Sequence, residues 1–211
     1  MKKVTTTMLL TALFFLSKGQ TEFLVTINPA TGIHSIIDSL PGVNFILSDA
    51  TAYDKNNKHF IFYGSDFFGS KRLFCVDAIS GHIISQPLFS LNVSEFQYDH
   101  SSNTLYALYS NSTTGQLSLV SLDISTGANV QVAVLPVNGF IGGSTTFDEV
   151  NHDFIFKHSG SFYTINTVTG NITVTPATAD YEQLQFDNNT GKLYGILTGT
   201  SIWIAEINST T

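Results

Sequence analysis

Two short patterns alternate along residues 23–211, and their alternation restricts the chain to an architecture built from one repeated, all-strand unit. In the first pattern an aromatic residue precedes Asp, and a bulky apolar run begins six residues after that Asp. It occurs as Tyr53-Asp54 with Phe60-Ile61-Phe62, Tyr98-Asp99 with Leu105-Tyr106-Ala107-Leu108, Phe147-Asp148 with Phe154-Ile155-Phe156, and Phe186-Asp187 with Leu193-Tyr194-Gly195-Ile196. Turn formers such as Asp54-Lys55-Asn56-Asn57-Lys58 fill the gap, so each unit reads as a strand, a tight connection and a second strand. In the second pattern an alternating strand ends in Asp or Asn and a Gly follows four residues later: Asn28 to Gly32, Asp77 to Gly81, Asp123 to Gly127, and Asn166 to Gly170. These glycines fall 49, 46 and 43 residues apart. An Asx side chain accepts bonds from turn N–H groups and Gly tolerates positive φ, so this pattern predicts a hairpin between a third and a fourth strand.

Four antiparallel strands per 43–49 residues, with no helical periodicity, predict an all-β chain: a β-propeller of four-stranded antiparallel blades. Phe162-Tyr163-Thr164-Ile165-Asn166-Thr167-Val168-Thr169-Gly170 and Val120-Ser121-Leu122-Asp123-Ile124-Ser125-Thr126-Gly127 resemble the L-Y-x-I-D-x-x-T-G repeats of the loose quinoprotein-like and YVTN-type propeller class. The resemblance covers residues 23–211 and implies architecture alone, because the matching residues are turn chemistry. The Gly-His and Trp-Asp signatures of WD repeats are absent. Counting strands predicts a partial first blade over 22–40, blades over 45–91, 93–136 and 141–178, and a partial last blade over 182–211. The propeller is therefore expected to be incomplete or atypically closed. Three readings fit: a shortened piece of a larger ring, an open arc that pairs its edges with a second copy, or a closed ring in which residues 33–40 complete the last blade.

Lys2 and Lys3 precede the apolar stretch 8–16, and Ser17 and Gly19 supply small residues for cleavage before Gln20, so residues 1–19 read as a secretory signal peptide. The stretch is about half of the roughly 20 residues needed to span a bilayer. A secreted, extracellular chain without membrane insertion is expected, and no Cys follows the signal to carry a lipid anchor. Without Lys2, Lys3 and Lys18 the chain keeps six basic against sixteen acidic residues, a net charge of −10. That balance excludes nucleic acid as a partner, since phosphate binding requires a basic surface. Cys75 is the single cysteine, so no intramolecular disulfide forms. Asn92, Asn111, Asn171, Asn188 and Asn208 begin sequons that could carry glycans.

Asp54, Asp99, Asp148 and Asp187 invite a reading as a carboxylate ring for a metal, but each sits where an Asx turn is needed. His59, His100 and His152 follow the turn Asp by five, one and four residues, offsets that do not superpose, and they read as solvated turn histidines. No residue set suggests a metal site or a catalytic constellation, which points away from an enzyme. No cofactor is expected from the residues, and the resemblance leaves calcium and quinone open. In a propeller the A–B and C–D connections share one face, and the B–C and D–A connections share the other, where the resemblance places ligands. On that second face the longest B–C connection, residues 64–72, offers Asp66, Phe67, Phe68, Lys71 and Arg72 as a gripping set for a sugar ring or a peptide. Asn138 and Phe140, in a Gly-rich D–A connection, form a second candidate. The expectation is a secreted binding module for glycan or protein, with open blade edges available for self-association. The alternatives are a propeller enzyme of quinoprotein-like or lactonase-like type, and a truncated fragment or surface-assembly component.

Overall fold

The computed structural model describes residues 22–139, 145–197 and 202–207. Every named element among them is a strand, and the strands form five antiparallel sheets in chain order. The first sheet pairs β1 (Phe23–Ile27) with β2 (His34–Ser39). The second contains β3 (Val43–Asp54), β4 (His59–Asp66), β5 (Lys71–Asp77) and β6 (Ile83–Ser85). The third contains β7 (Val93–Asp99), β8 (Thr104–Ser110), β9 (Gln116–Leu122) and β10 (Asn129–Asn138). The fourth contains β11 (Thr145–Asp148), β12 (Asp153–His158), β13 (Ser161–Asn166) and β14 (Ile172–Pro176). The fifth contains β15 (Tyr181–Asp187), β16 (Lys192–Leu197) and β17 (Trp203–Ile207). Within each sheet the strands meander, and the first strands lie side by side, β3 next to β7, β7 next to β11 and β11 next to β15. This is the blade arrangement of a propeller, with the fifth sheet three-stranded among the described residues.

Burial explains why middle strands carry near-continuous apolar runs. Side chains on both faces of a middle sheet meet a neighbour, so Ile61, Phe62 and Tyr63 on β4 are all buried. One apolar cluster seals each junction: Leu24 against Phe62 and Phe74, Tyr63 against Phe96 and Leu105, Tyr106 against Phe147 and Phe154, and Phe162 against Tyr181 and Leu193. Tyr106 stacks on Phe147 across the third junction with ring centroids 5.6 Å apart. The repeated glycines serve these junctions as well as their own turns. Gly127 has φ +74°, and a Cβ there would lie 2.8 Å from the Leu88 carbonyl oxygen of the preceding sheet; at Gly170 a Cβ would lie 2.9 Å from that of Val132. Both the backbone twist and the close approach therefore demand Gly.

The closed ring in which residues 33–40 complete the last blade does not form. Strand β2 pairs with β1, and β17 has β16 as its neighbour among the described strands. Hairpin pairing across the short Asn28–Gly32 turn, where Gly32 N–H donates to Asn28 O at 2.8 Å, keeps β2 beside β1.

Candidate functional site

The 64–72 connection is a β4–β5 hairpin braced from within. The Asp66 carboxylate accepts bonds from Phe68 N–H and Ser70 N–H at 2.9 Å, and from Arg72 Nε at 2.7 Å. Arg72 also donates through Nη1 to Gln86 O at 2.9 Å. The Arg72 guanidinium, together with the turn N–H groups, holds the Asp66 carboxyl below the usual carboxylate range despite its burial. Lys71 Nζ lies 5.8 Å from the centroid of the Tyr63 ring. The expected gripping set is thus divided. Asp66 and Arg72 hold each other and the turn, while Phe67 is 53% and Phe68 93% exposed.

The second candidate is only partly described. Asn138 is exposed at the end of β10, opposite Gln116, and Phe140 lies outside the described residues. Among the sequons, Asn92 and Asn171 are exposed, and Asn208 lies outside the described residues, as does the signal segment 1–19. Asn111 caps its own turn, accepting from Thr113 and Thr114 N–H. Asn188 bridges sheets: its Oδ1 accepts from Glu149 N–H at 2.7 Å, and its Nδ2 donates to Phe147 O at 3.3 Å.

At the opposite end of the molecule the turn aspartates do what turn chemistry requires. Asp54, Asp99 and Asp148 are buried, and each accepts from the N–H groups two and three residues onward. Burial pushes the Asp99 carboxyl up, but bonds from Ser101, Ser102 and His152 outweigh it and hold the group at about 2.

The histidines correct the expectation of solvated turn residues. His100 Nδ1 meets Glu149 Oε1 at 2.7 Å and its Nε2 meets Tyr53 O at 3.0 Å, so one imidazole joins three consecutive sheets. His152 Nδ1 lies 2.9 Å from Asp99 Oδ2, which makes Nδ1 the protonated nitrogen. Ser101 Oγ approaches this same nitrogen at 3.4 Å, so Ser101, His152 and Asp99 form no catalytic relay, which needs the two imidazole nitrogens on different partners. Lys55 Nζ completes the cluster, 3.0 Å from Glu149 Oε1. Beside it, Gln97, Thr146 and Gln185 line an axial pocket of about 230 Å³. The unequal offsets reflect different partners: His100 meets Glu149 at the equivalent position of the next sheet, whereas His152, four past its turn Asp, reaches back to the turn Asp of the preceding sheet.

No protein-family model matches the sequence, and no curated protein does. Solved structures match the fold. TolB from Acinetobacter baumannii is similar at 16% identity and a TM-score of 0.57, over 85% of this chain and 45% of its own. An oligogalacturonate lyase in complex with manganese is similar at 10% identity and 0.61, over 93% of this chain and 57% of its own. A gluconolactonase from Xanthomonas campestris is similar at 12% identity and 0.63, over 85% of this chain and 63% of its own. These are β-propeller-type folds, and this chain, all-β with successive antiparallel sheets, has that architecture, incomplete. It spans about half the length of the structures it matches. The described residues bring together no group of three His, Cys, Asp or Glu able to hold a metal, so the manganese named for the lyase has no matching donor set among them.

Proposed function

We propose that this chain is a secreted binding module whose protein partner receives Phe67 and Phe68. The exposure of Phe68 carries the reading: 93% of an aromatic side chain stands in solvent on a hairpin that Asp66 and Arg72 make rigid. Covering one such ring is worth about 1.5–3 kcal/mol, and the braced turn has little conformational entropy left to lose on binding. A sugar site pairs a flat apolar surface with free hydrogen-bonding groups, and at this tip the carboxylate and guanidinium are occupied by each other. That favours protein over glycan. Secretion rests on the Lys2-Lys3 charge, the apolar stretch 8–16 and the Ser17/Gly19 cleavage pattern.

The test compares partners retained from the native culture fluid and cell surface by the wild type, by Phe67→Ser/Phe68→Ser and by Lys71→Gln. The proposal expects a protein retained by the wild type and Lys71→Gln and lost by the double variant. The same set retained by all three overturns it.

A propeller enzyme has one foothold, the axial pocket with Glu149 at its rim. Lys55 and His100 already engage the Glu149 carboxylate, which argues against a free base. Turnover of an aldonolactone or an oligogalacturonate that Glu149→Gln abolishes would establish the enzyme reading instead.

A further inference from the structure

Apolar clusters seal the four junctions between the five sheets, and the two terminal sheets are short in complementary ways among the described residues. The fifth sheet has three inner strands and no outer one; β17 pairs with β16 and leaves its other edge open. The first sheet has two outer strands, because its 28–32 turn is of the kind that joins third to fourth strands elsewhere. There β1 pairs with β2 and leaves its inner edge open. An open edge presents a row of backbone N–H and C=O groups that favours pairing with another strand.

Each short sheet also carries an uncovered apolar face. In the fifth, Leu193 and Ile207 pack against Phe162 of the fourth sheet, so alternate residues point the other way. Among these is the cross-strand pair Ile196 and Ile204, with Ile204 80% exposed. In the first, Leu24 packs against Phe62 of the second sheet, which turns Phe23 and Val25 outward, Val25 beside its partner Ile36. Ile27, further along the same face, is 64% exposed. The gaps match these faces. Where the first sheet lacks inner strands, a groove of about 430 Å³ opens on Tyr53 and Phe60 of the second. Where the fifth lacks its outer strand, Asp153, Thr164 and Thr173 of the fourth line an open depression of about 380 Å³.

We propose that the fifth sheet of one copy and the first sheet of a second copy join edge to edge, β17 beside β1, into one shared blade, and that two copies close a ring through two such joints. In each joint Ile196 and Ile204 cover Tyr53 and Phe60 of the second copy. In return Phe23, Val25 and Ile36 of the second copy cover Thr164 and Thr173 of the first. His34, paired with Ile27 at the turn end of that face, comes level with Asp153 and gives a half-buried carboxyl a hydrogen-bonding partner. Both β1 and β17 run toward the turn end, so with the turn ends together they pair in parallel. Three four-stranded sheets from each copy and two shared ones make eight blades, the upper end of the roughly 4–8 that propellers use, and a third copy exceeds it. Length agrees, since one chain spans about half of the solved propellers it matches. A two-fold axis repeats the joint and leaves neither terminal edge open.

The experiment measures the solution mass of the secreted chain by analytical ultracentrifugation over a dilution series. The wild type is expected at twice the mass of one chain from low micromolar concentration upward. Ile204→Lys on the last sheet and Ile27→Lys on the first are each expected to weaken assembly at least a hundredfold, because either change damages both joints of the ring. Both positions are solvent-exposed, and circular dichroism reports whether each variant folds. An equimolar mixture of the two variants is expected to recover a two-copy species, since one joint then has both native surfaces. Phe67→Ser/Phe68→Ser is expected to keep the two-copy mass, which separates this joint from the protein-binding tip. A wild type that stays at the mass of one chain into the millimolar range, the outcome if a different protein or another segment fills the groove, overturns the proposal. So does a mass that climbs past two copies, a lysine variant that assembles as the wild type does, or a mixture that stays monomeric.

Discussion

The two ends of the molecule are built by opposite rules. At the turn end, side chains cross from sheet to sheet: Asn56 Nδ2 donates to His100 O at 2.9 Å, His152 to Asp99, and Glu149 N–H to Asn188. At the loop end, in the 64–72 hairpin, the charged groups stay within one sheet, Asp66 with Arg72 and Arg72 with Gln86 O, while two phenylalanines face water. The first end holds neighbouring blades in register. The second presents. Function is more readily carried by surface that the scaffold does not need for its own cohesion.

Asp99 gives the hardest test of that contrast. It accepts from Ser101 N–H and Oγ, from Ser102 Oγ at 2.6 Å and from His152 Nδ1, and the carboxylate itself is fully buried. Asp99→Ala removes a buried carboxylate that ties its own turn to His152 of the next sheet, and a loss of about 3 kcal/mol in unfolding free energy is expected from chemical denaturation. Asp66→Ala is expected to lower the midpoint clearly less, because its bonds stay within one hairpin and join no second sheet. Equal losses would break the comparison.

Acid probes the same carboxylate. Its folded value of about 2 lies below the ordinary 3.8, so its contribution is fully present above pH 4 and is lost as pH falls through about 2. The wild type is therefore expected to lose about 2 kcal/mol more than Asp99→Asn between pH 5 and pH 2. Parallel pH profiles would show that the Asp99 bonds add nothing to folding.

Much of the architecture was legible because propeller turns reuse one chemistry. Asp54, Asp99, Asp148 and Asp187 mark one set of turns, and Gly32, Gly81, Gly127 and Gly170 mark the other. What repeats along a sequence is what each sheet does for itself. The cross-sheet bonds were not legible, because the period does not give them: His100 and Glu149 hold the same position, one past the turn Asp, with different residue types, while His152, four past, reaches back to Asp99. The hairpin was misread for a related reason. Asp66 and Arg72 are six residues apart and meet only once the turn closes, so the sequence displays as free two groups that the fold pairs.

Glycan occupancy sharpens the contrast at single residues. The Asn188 amide is tied on both sides, to Glu149 N–H and to Phe147 O, at the closed turn end, whereas Asn92 is exposed and Asn111 sits on the loop end. When the chain is expressed through a glycosylating secretory route, peptide mass spectrometry is expected to find glycan at Asn92 or Asn111 and none at Asn188. Asn188→Gln is expected to cost about 1 kcal/mol, the worth of a bridging amide moved out of place. Full occupancy of Asn188 in a folded protein would mean that the turn end opens more readily than its bonds imply.

The smallest expected effect is the most telling for function. Phe68 makes no contribution to any of the four apolar clusters, and its backbone N–H bond to Asp66 survives replacement of the side chain. Phe68→Ser is thus expected to shift unfolding free energy by no more than about 0.5 kcal/mol. Phe62→Ala, at the sealed junction of the first two sheets, is expected to lose about 3–5 kcal/mol. A residue that the fold does not need, held rigid in solvent where an apolar ring is disfavoured, has its physical rationale in what covers it. If Phe68→Ser instead destabilised the chain by more than 1 kcal/mol, measured by denaturation, the ring would be packing in solution, and the loop end would belong to the scaffold after all.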